Sequence, residues 1–214
     1  MRPGVLALAM VLALSPPAVA SQGLSREQAL ARLASQDAEA RREGAASLGE
    51  AGTMADVPAL VQALRDRDGM VRALAERSLW QVWSRSGDAE IDALFARGLE
   101  QMSMRAGAAA IATFTRIIDK KPEFAEGWNK RATMYYLAGE YDKSLRDCDE
   151  VMKRNPAHFG ALSGYGQIYL RLGQPDKALP YFERALAVNP NLEGVSEVID
   201  QLREVVRRRN RDTT

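Results

Sequence analysis

The chain has 214 residues, 46% of them hydrophobic and 27% charged, with 29 Lys and Arg against 28 Asp and Glu for a net charge of +1. That length can bury a core as one long domain or two small ones. The charge balance gives no general attraction to nucleic acid or an anionic membrane, and the basic run Arg207, Arg208, Arg209 and Arg211 reads as a solvated tail after a helix.

The first twenty residues, MRPGVLALAMVLALSPPAVA, carry one early cation, Arg2, an apolar run from Val5 to Leu14, two prolines and the small-x-small triplet Ala18-Val19-Ala20. This is the pattern of a secretory signal peptide cut after Ala20, and it predicts a periplasmic or secreted protein; the alternative is an uncleaved anchor. The apolar run is ten residues long, short of the roughly 20 that a membrane-spanning helix needs. Loss of residues 1–20 removes Arg2 and no acid, leaving 28 cations against 28 anions. Cys148 is the one cysteine, so no intramolecular disulfide forms and stability must come from packing. Its two readings are a bond between chains and a buried, inert thiol.

Residues 24–86 are predicted helical. Asp37-Ala-Glu-Ala-Arg41 and Asp68-Gly-Met-Val-Arg72 lie 31 residues apart, and each leads an alanine-rich amphipathic stretch. Asp37 and Asp68 are expected as N-caps, and Pro58 near the start of a helix over 58–65. With the A-x-x-L-G and V-P-x-L segments, these residues resemble HEAT-like repeats, including the short form found in phycobilisome-lyase-type proteins. A lyase activity does not follow, because such repeats are scaffolds. Trp80 and Trp83 share one helix face. They read either as an aromatic contact for a partner or as the seal between this half and the next.

From residue 91 the sequence repeats. Pro122, Pro156 and Pro190 are 34 residues apart, which sets repeats at 91–124, 125–158 and 159–192. Position 8 is small in all three (Gly98, Ala132, Gly166), as is position 20 (Ala110, Ser144, Ala178), whereas position 24 holds Phe114, Cys148 and Phe182. Small residues let two antiparallel helices approach, and larger ones fill the space between. Gly139 and Gly173 mark the turns at position 15, and each proline closes a second helix. This 34-residue pattern resembles the tetratricopeptide repeat (TPR) family. The first repeat departs from it: Gln101 stands where the others have tyrosine, and MSMRAGA lacks a clear turn signal. Residues 193–208, with Val195, Val198, Ile199, Leu202, Val205 and Val206 at helical spacing, fit the capping helix that a solenoid needs. The expected fold is all-α, a right-handed solenoid of helical hairpins.

The sequence offers no catalytic constellation, metal site or cofactor motif. With one histidine and one cysteine, the usual zinc sites are excluded. Phosphate-cradling glycine loops, the nucleophile elbow and H-E-x-x-H are absent. His158, which follows Pro156 at a repeat boundary, is expected to be an exposed polar residue.

Binding is what remains. The TPR resemblance implies that the first helix of each repeat lines a concave groove through positions 2, 5, 6, 9 and 12. The first repeat then supplies Asp92, Phe95, Ala96, Leu99 and Met102, the second Glu126, Asn129, Lys130, Thr133 and Tyr136, and the third Gly160, Ser163, Gly164, Gln167 and Leu170. Chaperone-binding relatives place Lys, Asn and Arg at such sites to grip a terminal carboxylate. Here Lys130 is the one basic groove residue, so that function is not carried over. The groove is expected to take a polypeptide segment through backbone hydrogen bonds and a few apolar anchors, unless the N-terminal half covers Phe95, Leu99 and Met102. Gly160 and Gly164 admit either a closely approaching ligand backbone or the capping helix. The function expected is a non-catalytic interaction module with a protein or peptide partner, no nucleic acid and no membrane span; the alternative is a self-associating structural subunit of a periplasmic assembly.

Overall fold

The computed structural model describes residues 23–212; the signal-peptide segment 1–20 lies outside them. The described residues form eleven α-helices and one short 3-10 turn, with no strand. Helices α1 (Arg26–Leu33), α2 (Ala38–Ala51), α3 (Val57–Ala63) and α4 (Gly69–Trp83) make the N-terminal unit. Helices α1, α2 and α4 start where short polar side chains satisfy free N–H groups. Ser25 and Gln28 form a capping box on α1. Asp37 accepts from the Ala40 N–H and Asp68 from the Val71 N–H, as their spacing predicts. The paired arginines tie these starts together. Arg41 makes a bidentate pair with Asp66 and also donates to the Ser35 and Gln36 carbonyls, while Arg42 pairs with Asp68. Ala45, Leu48, Leu60, Leu64, Val71, Leu79 and Val82 fill the core of this unit.

The repeats follow as antiparallel pairs: α5 (Ala89–Ser103) with α6 (Gly107–Lys120), α7 (Ala125–Leu137) with α8 (Tyr141–Arg154), and α9 (Phe159–Arg171) with α10 (Pro175–Val188). Helix α11 (Val195–Asp212) covers α10, burying Ile199 and Leu202 against Phe182 and Ala178. Within each pair, position 8 meets position 24. A Cβ on Gly98 would stand 2.5 Å from the Phe114 ring, and one on Gly166 would stand 2.5 Å from Phe182. Glycine is therefore required wherever phenylalanine fills the partner position. The second pair uses Ala132 and Cys148 instead, and Ser144 at position 20 donates to the Ala132 carbonyl at 2.7 Å.

The turns at position 15 use a left-handed residue. Gly139 and Gly173 have φ of 77° and 68°. In the first repeat Arg105 adopts φ 58°, a conformation that a side chain disfavours. The turn missing from MSMRAGA is thus made without its glycine.

The two halves do not continue one stack. Helix α4 packs mainly on α2 and α3, and α5 on α6. The N-terminal unit instead sits on the connections between later repeats. Phe159 belongs to its core, and Ala157, Val188 and Leu192 pack against it. Asn191 donates to the Leu64 carbonyl at 2.7 Å, and Arg65 donates to the Ala187 and Val188 carbonyls.

Candidate functional site

The first helices of the second and third repeats, α7 and α9, enclose a cleft of about 120 Å³. Its walls include Asn129, Thr133, Tyr136, Gly160, Gly164 and Gln167 from the expected groove set, with Ala132, Ser144, Cys148, Ala161 and Ile168 completing it. The second repeat holds Cys148 where its neighbours hold phenylalanine, and the cleft opens beside Cys148 and Ala132. Gly164 deepens it: the nearest atom to a Cβ there would be Cys148 Sγ at 3.8 Å. The thiol is buried and pushed up to about 12 by that burial and by the Asp147 and Asp149 carboxylates, so it is a neutral wall and no nucleophile. No charged side chain is among the cleft's lining residues.

The remaining groove residues divide. Ser163 is half-buried on α9, and Leu99 and Leu170 are exposed. Phe95 is a correction to the groove set. It is buried edge-on against Phe114 and Phe124, inside its own repeat. Met102 packs partly into the same cluster. The N-terminal half does not cover these residues; it covers the start of α9.

His158 is a second correction, because it is fully buried. As the N-cap of α9, its Nδ1 accepts from the Ala161 N–H at 3.0 Å, which leaves the proton on Nε2, facing Glu126 Oε1 at 2.5 Å. Glu126 is equally buried and also receives Asn129 Nδ2 at 3.1 Å and Lys130 Nζ at 3.2 Å. Burial alone raises the Glu126 carboxyl; His158, Lys130 and Asn129 outweigh it and hold the group at about 2. The TPR resemblance placed Asn129 and Lys130 on the groove face, but a carboxylate three and four residues earlier claims both. No sequence signal marked Glu126 as buried, since its partner His158 lies 32 residues away.

Beside this network lie the two tryptophans of α4. Trp83 stacks on the His158 ring at 4.5 Å, and Trp80 meets Trp83, His158 and Phe159 edge-on. Lys130 Nζ stands 5.5 Å from the centre of the Trp80 ring. A Cβ on Gly160 would come 2.6 Å from Trp80 Cη2. Gly160 therefore makes room for this chain's own indole, and neither Gly160 nor Gly164 packs on the capping helix. Among the described residues, no cluster of three or more His, Cys, Asp or Glu could hold a metal ion, and no helix is long and apolar enough to cross a membrane.

Comparison with known proteins agrees with this architecture. The family profile of the tetratricopeptide repeat matches residues 123–191. A TPR repeat-containing protein of Rhizobium etli is 32% identical over 143 residues, spanning 67% of this chain and 70% of that protein. Anaphase-promoting complex subunit 7 of Dictyostelium discoideum is 32% identical over 83 residues, 39% of this chain but 14% of that much longer protein. Among solved structures, the first TPR of Spaghetti (RPAP3), bound to the HSP90 peptide SRMEEVD, superposes with a TM-score of 0.53 at 20% identity, covering 56% of this chain and 95% of that one. The Sgt2 TPR domain from Aspergillus fumigatus gives 0.54 at 19% identity, covering 58% and 83%. With its 34-residue hairpins, its Gly–Phe helix contacts and this relationship to the Rhizobium protein, the chain belongs to the tetratricopeptide repeat family.

Proposed function

We propose that this protein is an exported, non-catalytic interaction module that holds a segment of a partner polypeptide in the groove between α7 and α9. One observation carries the reading: Asn129, Thr133, Tyr136, Gly160, Gly164 and Gln167, scattered over 39 residues of sequence, line one uncharged cleft. The cleft offers polar side chains for a peptide backbone and a recess for an uncharged anchor. A terminal carboxylate is poorly served, because the ammonium of Lys130 is already engaged by Glu126. Peptide binding by the RPAP3 repeat supports the use of such a groove. Export rests on the pattern of residues 1–20, and the N-terminal unit is read as HEAT-like scaffold.

Changing Tyr136 and Gln167 to Ala together tests the proposal. Asn129 is spared because it supports Glu126. Capture of partners from an extract of the source cells, read by mass spectrometry, should be lost while helix content and melting are retained. Unchanged capture would refute the groove as the binding surface. Exposed Met104, Leu137 and Leu172 at the hairpin turns favour a second reading, self-association into a structural assembly. Light scattering after size exclusion decides it: a stable large homo-oligomer replaces the free module.

A further inference from the structure

One seat in the groove is already filled from within the chain. The seat is made of repeat residues: Gly160 leaves floor space, Lys130 places its ammonium over the ring, and His158 and Phe159 border it. Its cation and its imidazole are held within the second repeat. Buried Glu126 holds both Lys130 Nζ at 3.2 Å and His158 Nε2 at 2.5 Å, so a carboxylate of the second repeat fixes the cation and the imidazole in place. The occupant, Trp80, comes from the N-terminal unit and remains half-buried, whereas Trp83 beside it is 3% exposed within that unit's core. Gly160 also lines the open cleft, so seat and cleft are neighbouring parts of one groove.

We propose that this seat is a subsite for an aromatic side chain, occupied in cis by Trp80, and that a partner polypeptide bearing an aromatic residue takes it by displacing that ring. The inference rests on the groove reading above. A planar π face suits the Lys130 cation, and an aliphatic or acidic side chain does not reproduce that contact. Displacing Trp80 does not require the halves to part. Trp83 stays stacked on His158, and Arg65 and Asn191 hold the opposite edge. The apparent affinity of the free chain for such a segment is reduced by the fraction of molecules in which the seat is filled.

Fluorescence anisotropy on the full chain tests this, with labelled short peptides of Ser, Asn and Ala carrying one central Trp, Leu or Glu. Trp80→Ala should bind the Trp-centred peptide at least roughly tenfold more tightly than the wild type, with no comparable gain for the Leu- or Glu-centred peptides. Adding Lys130→Met should cancel most of the gain. Trp80→Leu, which keeps apolar cover over Phe159, repeats the comparison if Trp80→Ala loses helix content. Equal affinity of variant and wild type for the Trp-centred peptide, or no binding of it by a folded variant, overturns the subsite. The Tyr136 and Gln167 changes leave Trp80 and its seat untouched, so groove and subsite can fail separately.

Discussion

The second repeat and its two neighbours solve one packing problem with different materials. In the first and third, a phenylalanine lies on a glycine and the interior is aromatic and closed: Phe114 over Gly98, Phe182 over Gly166. In the second, Cys148 and Ala132 are both small, and a cleft opens beside them. Polar groups carry the load there. Glu126, Asn129, Ser144, Asp147 and His158 are all buried in that repeat. Arg131 joins the network, bidentate to Asp147 at 2.8 Å and bonded to Thr115 of the preceding repeat at 3.0 Å. The same helical hairpin can therefore be closed by phenylalanine in the first and third copies and open in the second. Smaller side chains leave the space, and Glu126, Asn129, Ser144, Asp147 and His158 beside it are each hydrogen-bonded.

The largest break in this contrast should come from removing the centre of the network. Glu126→Ala leaves His158 and Lys130 without their carboxylate, and chemical denaturation should show a loss of about 3–5 kcal/mol. Acid should act on the same group. A carboxyl held at about 2 when folded, against 4.5 ordinarily, contributes stability that is complete above pH 4.5 and disappears as pH falls toward 2. Melting temperatures measured across that window should fall for the wild type, and the fall should be shallower in Glu126→Gln.

Next in size is a test of the closed repeats. Gly166→Ala drives a methyl against Phe182, where three ring atoms would lie at 2.5, 2.6 and 2.7 Å. We expect a loss of about 1–3 kcal/mol, read as a lower denaturant midpoint with an unchanged slope. The smallest effect has the opposite sign. At Gly164, two residues earlier on the same helix, a Cβ makes only an ordinary contact with Cys148 at 3.8 Å. Gly164→Ala should raise stability by up to about 1 kcal/mol through the backbone entropy that glycine forfeits. If both substitutions destabilised equally, the open cleft beside α9 would not exist in solution.

Much of the repeat architecture was legible because its determinants are periodic. A 34-residue spacing of prolines and small residues needs no knowledge of partners, and the same holds for Asp37 and Asp68, whose caps act within three residues. The groove set was legible in part, since the groove positions that the TPR resemblance implies include Thr133, Tyr136, Gly164 and Gln167, which line the cleft. Phe95 was misplaced because the groove pattern says where a side chain starts and not what covers it; Phe124, at the far end of the same repeat, does so. His158 was misjudged for a similar reason. A histidine after Pro-Ala at a boundary looks solvent-facing until a carboxylate 32 residues away and a tryptophan from the other half close over it.

By itself the sequence determined that this chain forms hairpins, where the second and third of them turn, and the 34-residue period that spaces them. These follow from periodicity and the conformational freedom of glycine at Gly139 and Gly173, both local in origin. Only the tertiary structure decided how the two halves meet. The N-terminal unit leaves the stack, sets Trp80 over Gly160 and Lys130, and divides the groove into a filled end and an open one. That arrangement depends on contacts between residues 50 to 127 positions apart, for which no local pattern in a single sequence leaves a trace.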